Sequence, residues 1–490
     1  MDTATTDRKL DVVQGGPEDP FPETTPRRKP ITRWMREIAG IPEIPEDVDI
    51  EVPPSRFIPL TRQAVMVSLC ENIEGPDDTD YFAHVALELE RHRAHDYRIK
   101  GVLIRRLYLP FSPDADTVKV EDLSREEADR AERELAALVR HLLNRANYAP
   151  IPNEELGRIL TAQSPYSLRI EVDLEEYDLL HVYARDVYVA ERSVRRPETL
   201  YILKATFKTR VYRRLFVALK LKTDEKRARE IAERDGITEK KAMRIVKKRR
   251  KSLPQDTQAE CIYVKVFKDM PEHDLQILFP LRSVQFRPFD RIKFLATATG
   301  GTAFGIFSTT GKVLAATNPI AAAGALIGFI GLLARQITQF FNQRNRYMME
   351  LSQKLFFHNL ANNRAALALL LDRAEEEDVK EELITLYFLR GETVERSALP
   401  ERKAMIEGVI FDRYGVRVDF ELDDALSRLI ADGTVREEGD TLVFPTLRDA
   451  AAHYVRLRER DDEEDTRRLL AALGHPEGAG KADVFGGMEA

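Results

Sequence analysis

Residues 294–341 read FLATATGGTAFGIFSTTGKVLAATNPIAAAGALIGFIGLLARQITQFF, and this stretch decides how the chain is organised. It contains no Asp or Glu, and Lys312 and Arg335 are its only charges, whereas charged residues make up 32% of the whole sequence. Two apolar runs, 294–310 and 319–334, are separated by Gly-Lys-Val-Leu-Ala-Ala-Thr-Asn. As helices they would each cover about 25 Å, slightly less than the ~30 Å hydrocarbon core of a bilayer. The composition predicts a helical membrane hairpin over residues 292–341.

The glycines of this stretch fit more than one setting. Small residues let helices pack closely both in lipid and in a soluble core. The predicted packing residues of the hairpin are Gly300, Gly301, Gly305, Gly324, Gly328 and Gly331. Two alternatives therefore stay open: a glycine-rich helix pair buried in a soluble core, and a re-entrant hairpin, because both runs are short.

Basic residues on either side of the stretch favour the membrane and give the hairpin a direction. They are Arg282, Arg287, Arg291 and Lys293 before it, and Arg335, Arg344, Arg346 and Lys354 at or beyond its end. Only Lys312 lies between the two runs. By the positive-inside rule, both termini and the soluble parts stay on the cytoplasmic side. The expected location is the inner membrane of a bacterium, or an organellar membrane in a eukaryote.

The rest of the chain has the composition of a water-soluble protein. With 490 residues it is long enough for about two to four domains. Cys70 and Cys261 are far apart in sequence and form no metal-binding spacing, which indicates a reducing compartment. The first thirty residues lack the apolar core of a secretory signal. The net charge of -7 disfavours nucleic acid as the partner of the whole molecule.

Composition and periodicity predict an α+β chain in six segments. They are a disordered tail (1–52), a helical N-terminal region (53–163), a central α+β region (164–291), the membrane hairpin (292–341), a helical and winged-helix-like region (342–460), and a disordered tail (461–490).

The first two folded segments differ in hydrophobic period. Apolar residues three and four apart predict N-terminal helices over 60–73, 80–109 and 124–148. Ser124 and Glu127 form a capping-box pattern at the start of the third helix. A period nearer two then predicts a mostly antiparallel sheet, with strands over 168–172, 179–190, 200–207, 211–221 and 261–267.

A basic arm interrupts this sheet at residues 222–251, as two helices broken at Asp235-Gly236. The second helix carries the predicted contact with anionic lipid: Lys240, Lys241, Arg244, Lys247, Lys248, Arg249, Arg250 and Lys251. A solvated helical arm without a partner explains the same charges equally well. Nucleic acid fits less well, because no aromatic side chain is interleaved to stack on bases.

After the hairpin, the pattern predicts a continuous helix over 342–373 and a second helix over 379–390. The acidic run 375–378 between them is interpreted as a charge cluster at a helix start. Helices over 398–414 and 422–431, with a short strand over 416–420 between them and strands over 434–437 and 441–444 after them, predict a winged-helix topology. DNA binding by this module is disfavoured, because its second helix with the flanking residues (421–432) carries four acidic residues and one basic residue, Arg428, which suits phosphate poorly.

Several stretches together resemble one family. They are FIPLTR (57–62), YVKVFKDMPEHDLQILFP (263–280), FRPFDRIKF (286–294), GGTAFGI (300–306) and NLANNRAALALLLDRAEEEDVKEELITLYFL (359–389). The chain is similar to the uncharacterised family typified by transmembrane protein 143, whose shared region is domain of unknown function 3754. The resemblance implies a membrane-associated protein, mitochondrial in animals and also found in bacteria and plants, without an established activity or catalytic residues. The arm at 222–251 departs from the family pattern.

Two patterns resemble sites of known chemistry, and neither is assigned that chemistry. Residues 305–313 approach a phosphate loop, but one residue is in excess and Val313 replaces the hydroxyl that binds magnesium. His92, with His95, Asp96 and Glu88 nearby, has a metal-like spacing and is interpreted as a solvated helix face.

His273, between Glu272 and Asp274, marks a helix start in the family-like segment. The acids are interpreted as capping residues, and acid–base chemistry by His273 is kept as an alternative. No catalytic residue, cofactor or metal is assigned. The expected function is a membrane-anchored scaffold or regulator that binds an unidentified protein and self-associates. A channel- or transport-like oligomer and an enzyme using the His273 region are the alternatives.

Overall fold

The computed structural model describes residues 54–114, 123–161, 168–195, 204–286 apart from 252, 255 and 256, and 355–472. The predicted hairpin at 292–341 and its glycines lie outside the described residues, as does the predicted tail at 1–52. Within the described part, no helix is both long enough and apolar enough to cross a membrane.

The described residues form a mixed α+β structure around an antiparallel sheet. The helices are α1 (Arg62–Cys70), α2 (Pro76–Tyr108), α3 (Arg125–Arg145), α4 (Asn153–Thr161), α5 (Asp224–Asp235), α6 (Glu239–Arg250), α7 (Asn363–Leu389), α8 (Leu399–Tyr414), α9 (Leu422–Ala431) and α10 (Leu447–Ala472). The strands are β1 (Ala149–Pro150), β2 (Leu168–Val172), β3 (Tyr177–Arg195), β4 (Lys204–Leu221), β5 (Ile262–Pro271), β6 (Arg282–Phe286), β7 (Asn359–Asn362), β8 (Thr393–Glu395), β9 (Arg436–Glu438) and β10 (Thr441–Val443).

The main sheet has the order β1-β3-β4-β5-β7, and every neighbouring pair is antiparallel. Its centre is the long antiparallel pair of β3 and β4. The predicted strand over 211–221 and residues 204–207 of the strand predicted over 200–207 belong to one strand, β4. Alternate side chains of a strand point to opposite faces. Phe216 and Ala218 therefore pack with α2, α3 and α7, whereas Leu215 and Val217 pack with α4.

The basic arm consists of α5 and α6, which lie between β4 and β5 in sequence. Gly236 ends α5 with φ of 64°, a left-handed conformation that favours glycine, so the predicted break at Asp235-Gly236 is confirmed. The two helices pack through a small apolar cluster of their own, which includes Ile231, Ala242 and Val246.

The predicted helix boundaries after the hairpin are wrong. Residues 359–362 form the edge strand β7, and α7 then runs unbroken from Asn363 to Leu389 through the acidic run. Asn363 makes the junction with φ of 48°, and its side-chain oxygen accepts a hydrogen bond from the Val264 amide at 3.0 Å. These residues, which the sequence pattern assigns to a helix, thus pair with β5 as a strand.

The C-terminal elements follow the order α7, β8, α8, α9, β9, β10, and the three strands form a small sheet in the order β8-β10-β9. Strand β8 has only three residues, too few for a periodic signal, so the sequence pattern does not indicate it. The strand predicted over 416–420 is wrong: only Val418 forms a β-bridge, with Ser55. Helix α10 packs along α2 and continues to Ala472. Residues 461–472 are therefore helical, and the prediction of a tail beginning at Asp461 is wrong.

Candidate functional site

Charged side chains at the middle of α7 are buried. Glu377, Lys380 and Glu382 have 0% of their surface exposed, and Asp378 and Glu381 have 2%. The second half of the acidic run, Glu377 and Asp378, therefore lies inside the protein, and the run is in the middle of α7, so its interpretation as a helix-start cluster is wrong. A helix enclosed on all sides must bury these residues, and buried charges need partners. The partners come from α2, α9 and the segment before α1.

Arg428 of α9 is the first partner. Its three guanidinium nitrogens lie 3.0 Å from Asp378, 2.7 Å from Glu381 and 2.6 Å from Glu382. Burial alone would lower the pKa of Arg428, but the three carboxylates outweigh it and raise that pKa. A planar, permanently charged fork suits this position, where one group must contact several carboxylates at once.

Arg93 of α2 is the second partner. Its Nε lies 3.0 Å from one Glu382 oxygen and its Nη2 lies 2.9 Å from the other, which is a bidentate pair. The same guanidinium contacts Asp432 directly after α9. Arg93 and Arg428 thus share Glu382, and this carboxylate connects α2, α7 and α9.

Lys380 is the third cation, and it binds the FIPLTR segment that precedes α1. Its ammonium donates hydrogen bonds to the Ile58 carbonyl at 2.8 Å and the Leu60 carbonyl at 3.0 Å. It also lies 2.5 Å from Glu377, whose other oxygen accepts from the Ile58 amide at 3.2 Å. The ring of Phe57 lies between this ammonium and the guanidinium of Arg185, 4.8 and 3.9 Å from the ring centre.

The centre of this network has more carboxylates than cations. Four carboxylates of α7 (Glu377, Asp378, Glu381 and Glu382) face three cations (Lys380, Arg93 and Arg428). Burial raises the pKa of Glu381 to about 8, against the opposing effect of Arg428. The same burial raises the pKa of Glu377, against the opposing effect of Lys380.

His92 lies at the edge of the same network, between α2 and α10. Its Nδ1 is 2.6 Å from Asp461, and its Nε2 is 3.6 Å from Asp432. Only 3% of His92 is exposed, so the interpretation of this face as solvated is wrong. Burial lowers its pKa, but hydrogen bonds to Asp432 and Asp461 outweigh burial and raise it above the ordinary value. Among the described residues, no group of His, Cys, Asp and Glu fits a metal ion.

His273 lies at the start of the short 3-10 helix Glu272–Ile277, as predicted. Its Nδ1 is 3.2 Å from the hydroxyl of Thr209, and its Nε2 is 3.6 Å from Asp274. The second distance is longer than a hydrogen bond. The three side chains lie near one another in the order hydroxyl, imidazole, carboxylate, but the geometry does not make the histidine a base oriented by the acid.

The basic arm is fixed to the body by a second ionic cluster. Arg227 of α5 is 1% exposed, and its guanidinium reaches Asp173 at 2.8 Å, Glu175 at 3.0 Å and Glu176 at 3.1 Å. Arg249 of α6 adds contacts of 2.9 Å to both Asp173 and Glu176. Through these contacts, the arm packs against the turn between β2 and β3.

The predicted lipid-contact set divides into two groups in the structure. Arg250 contacts Asp224 at 2.5 Å and the Lys222 carbonyl at 2.6 Å, and Arg249 contacts Asp173 and Glu176, so these two arginines bind groups of the protein itself, although Arg249 is 43% exposed. The other six are exposed and make no ion pair with the described residues; we call them the cationic face: Lys240, Lys241, Arg244, Lys247, Lys248 and Lys251.

Large apolar side chains lie exposed where the chain re-enters the described structure after residue 354. Phe356 and Phe357 are 76% and 69% exposed, and their rings pack edge to face 5.4 Å apart. Leu355 packs against the core beneath the sheet, and His358 bonds to the Lys268 carbonyl at 2.8 Å. The aromatic pair is therefore held between two anchored residues.

Sequence reasoning missed the ionic network at α7. A usable signal was present: the run EEEDVKEE continues directly into an apolar helix, so its charges cannot all face water. The partners Arg93 and Arg428 lie about three hundred residues before and forty-six residues after Glu382, and no local pattern connects them.

The fold defines an α+β protein whose described part is held together by a buried ionic network. A family model described as "Protein of unknown function (DUF3754)" matches residues 212–365. The match supports the expected relation to an uncharacterised family; the finer likeness to transmembrane protein 143 stays a prediction. No solved structure matches the chain. The matched region includes the basic arm and the whole of 294–341, whereas the buried charges at 377–382 follow it.

Proposed function

We propose that the chain is a membrane-anchored scaffold or regulatory protein without catalytic activity, with its α+β body on the cytoplasmic side. The observation that carries the proposal is the carboxylate-free stretch 294–341, whose two flanks join the same folded body. The chain leaves the body after β6 and returns at Leu355 before β7. A hairpin that begins and ends on one side of a bilayer requires this connectivity.

The exposed aromatic pair supports the same proposal. Aromatic side chains are enriched where membrane proteins meet the lipid–water interface. Phe356 and Phe357 follow the predicted hairpin by about fifteen residues and are held outward by Leu355 and His358. Contact with the interface would remove two large rings from water, which is favourable.

Membrane extraction tests the proposal. Full-length protein and a variant in which a Gly-Ser linker replaces residues 292–341 are expressed at equal levels, and the membranes are washed with alkaline carbonate. The full-length protein is expected to stay in the pellet and the deletion variant in the supernatant. Full-length protein that is monomeric in the supernatant without detergent would retire the proposal in favour of a buried helix pair.

The C-terminal part is the proposed site of protein binding. The order α7, β8, α8, α9, β9, β10 and the sheet order β8-β10-β9 fit a winged-helix module. In DNA-binding modules of this kind the second helix of the pair presents cations to phosphate. Here α9 turns Asp423 and Ser427 to solvent, and its arginine, Arg428, is 7% exposed. A protein partner therefore fits this surface better than DNA does.

Crosslinking followed by affinity purification from membranes tests this part. Wild type is compared with the charge-reversal variant D423K, which leaves the buried face of α9 unchanged. A protein captured by wild type and lost in D423K supports the proposed surface. Equal capture by both proteins would place the partner-binding surface outside α9. DNA binding by D423K but not by wild type would show that Asp423 prevents nucleic-acid binding.

A further inference from the structure

The six residues of the cationic face lie on one side of α6. At about 100° per residue, positions 240, 241, 244, 247, 248 and 251 fall within about 120° of the helix circumference. Ala242, Val246 and Arg249 point the other way, into the contact with α5 and the body. The exposed charges of α6 after Glu239 are therefore all positive, and all but Arg249, which pairs with acids of the body, lie on one side.

The arm holds this face in a fixed position, because Arg227 and Arg249 both bind Asp173 and Glu176 of the body. Ordering cations that repel one another is unfavourable unless a negative partner compensates. A helical arm that only needed solubility would mix acids with its bases, as α5 does with Glu225 and Glu233.

The strand register relates the arm to the point where the chain leaves the described body. Val172, next to the arm contact Asp173, pairs with Arg282, whereas Leu168 pairs with Phe286 at the other end of the β2–β6 ribbon. Four strand residues separate the two ends, which is about 13 Å. The predicted hairpin begins six residues after Phe286, and Asp173, which contacts the arm, lies five strand residues, about 17 Å, along the ribbon from that exit.

We infer that the cationic face binds the anionic headgroups of the bilayer that the hairpin enters, an inference that rests on the proposed function. Such a second contact would fix the orientation of the body against the membrane. Each basic residue near an anionic surface strengthens binding by about fivefold at physiological salt. Nucleic acid, the other polyanion, is less suited, since α6 has no aromatic side chain for base stacking.

The test measures the distance of the arm from lipid in the full-length protein. A fluorophore is attached at E239C, on the exposed first residue of α6, in a background with C70S and C261A. The protein is reconstituted into vesicles of phosphatidylcholine, with or without phosphatidylserine, that contain a headgroup-labelled acceptor. Energy transfer is expected to rise with phosphatidylserine and to fall again at high salt.

Two charge variants give the comparison. In the first, all six residues of the cationic face become Gln, and the dependence on phosphatidylserine should disappear. In the second, six exposed arginines outside the arm become Gln, with the same change of net charge, and the dependence should remain: Arg105, Arg106, Arg125, Arg130, Arg133 and Arg140. Unchanged circular dichroism shows that each variant is folded.

The outcomes separate this inference from the proposed function. Incorporation into both vesicle types with equal energy transfer overturns the inference and leaves the hairpin. Failure to incorporate into either overturns the hairpin, while association of that protein with phosphatidylserine vesicles alone still supports the cationic face. Binding of a labelled oligonucleotide that only the first variant loses, without any effect of lipid composition, assigns the face to nucleic acid and overturns the inference.

Discussion

Replacing Arg428 with Met removes the cation that lies 2.6–3.0 Å from three buried carboxylates of α7. Met preserves most of the apolar volume but leaves Asp378 and Glu381 without their cation, while Glu382 keeps Arg93. Breaking a buried ion pair by removing one partner costs about 3–5 kcal/mol. With a urea slope of about 3 kcal/mol/M, the midpoint of unfolding should fall by about 1–1.7 M.

Urea unfolding followed by circular dichroism of the full-length protein measures this effect. The matched control is R396M, because Arg396 pairs with Glu437 on the surface, where both side chains are about 45% exposed. An exposed pair contributes about 0–1 kcal/mol, so the control should shift the midpoint by at most about 0.3 M. The double variant R428M/D378N should recover part of the loss, since it also removes a buried carboxylate that R428M leaves without a cation.

A shift for R428M no larger than that for R396M would refute this reasoning. It would mean that the carboxylates of α7 do not depend on Arg428 for their burial. If D378N does not relieve the loss, packing of the guanidinium, rather than its charge, stabilises the junction of α7 and α9.

Three further predictions address pH, the arm and self-association. The folded state raises the pKa of His92, so the contribution of protonated His92 to the stability of the fold is complete below about pH 6.5 and is lost as pH rises through the pKa in the folded state. H92Q should therefore make the urea midpoint depend less on pH between about pH 6 and 9. An unchanged pH dependence would exclude His92 as its source. G236A places a Cβ at φ of 64° and should destabilise the arm by about 1–2 kcal/mol, seen as faster hydrogen exchange in α5 and α6 but not in α7. G305L should weaken self-association in detergent, whereas the neighbouring change I306L should not; equal oligomer fractions would place the contact elsewhere.

The sequence predicts elements well where one local rule decides them. Ser124 and Glu127 form the predicted capping box, and Gly236 ends α5 where the turn signal indicated. The N-terminal helices and the long antiparallel pair of β3 and β4 follow from periods of about 3.6 and 2. Each of these signals lies within a few residues of the structure that it determines.

The candidate site could not be predicted in the same way, because its contacts are distant in sequence. Lys380 binds carbonyls more than three hundred residues earlier, and His92 meets Asp461. A charged residue on a helix usually faces water, so the local pattern indicated solvent for His92 and for the acidic run. Burial arises only when α2, α7, α9 and α10 come together, and edge pairing of β7 likewise overrides helix propensity at 359–362.

The central claim is that residues 292–341 contact lipid, and photocrosslinking tests it most directly. A photoreactive amino acid replaces Leu326 in the second apolar run, and Leu138, which is 1% exposed in the described body, serves as the control position. After illumination of native membranes, crosslinks to lipid acyl chains are expected at position 326 and absent at position 138. Crosslinks from position 326 to protein alone would contradict the claim and indicate a helix pair buried in a soluble core.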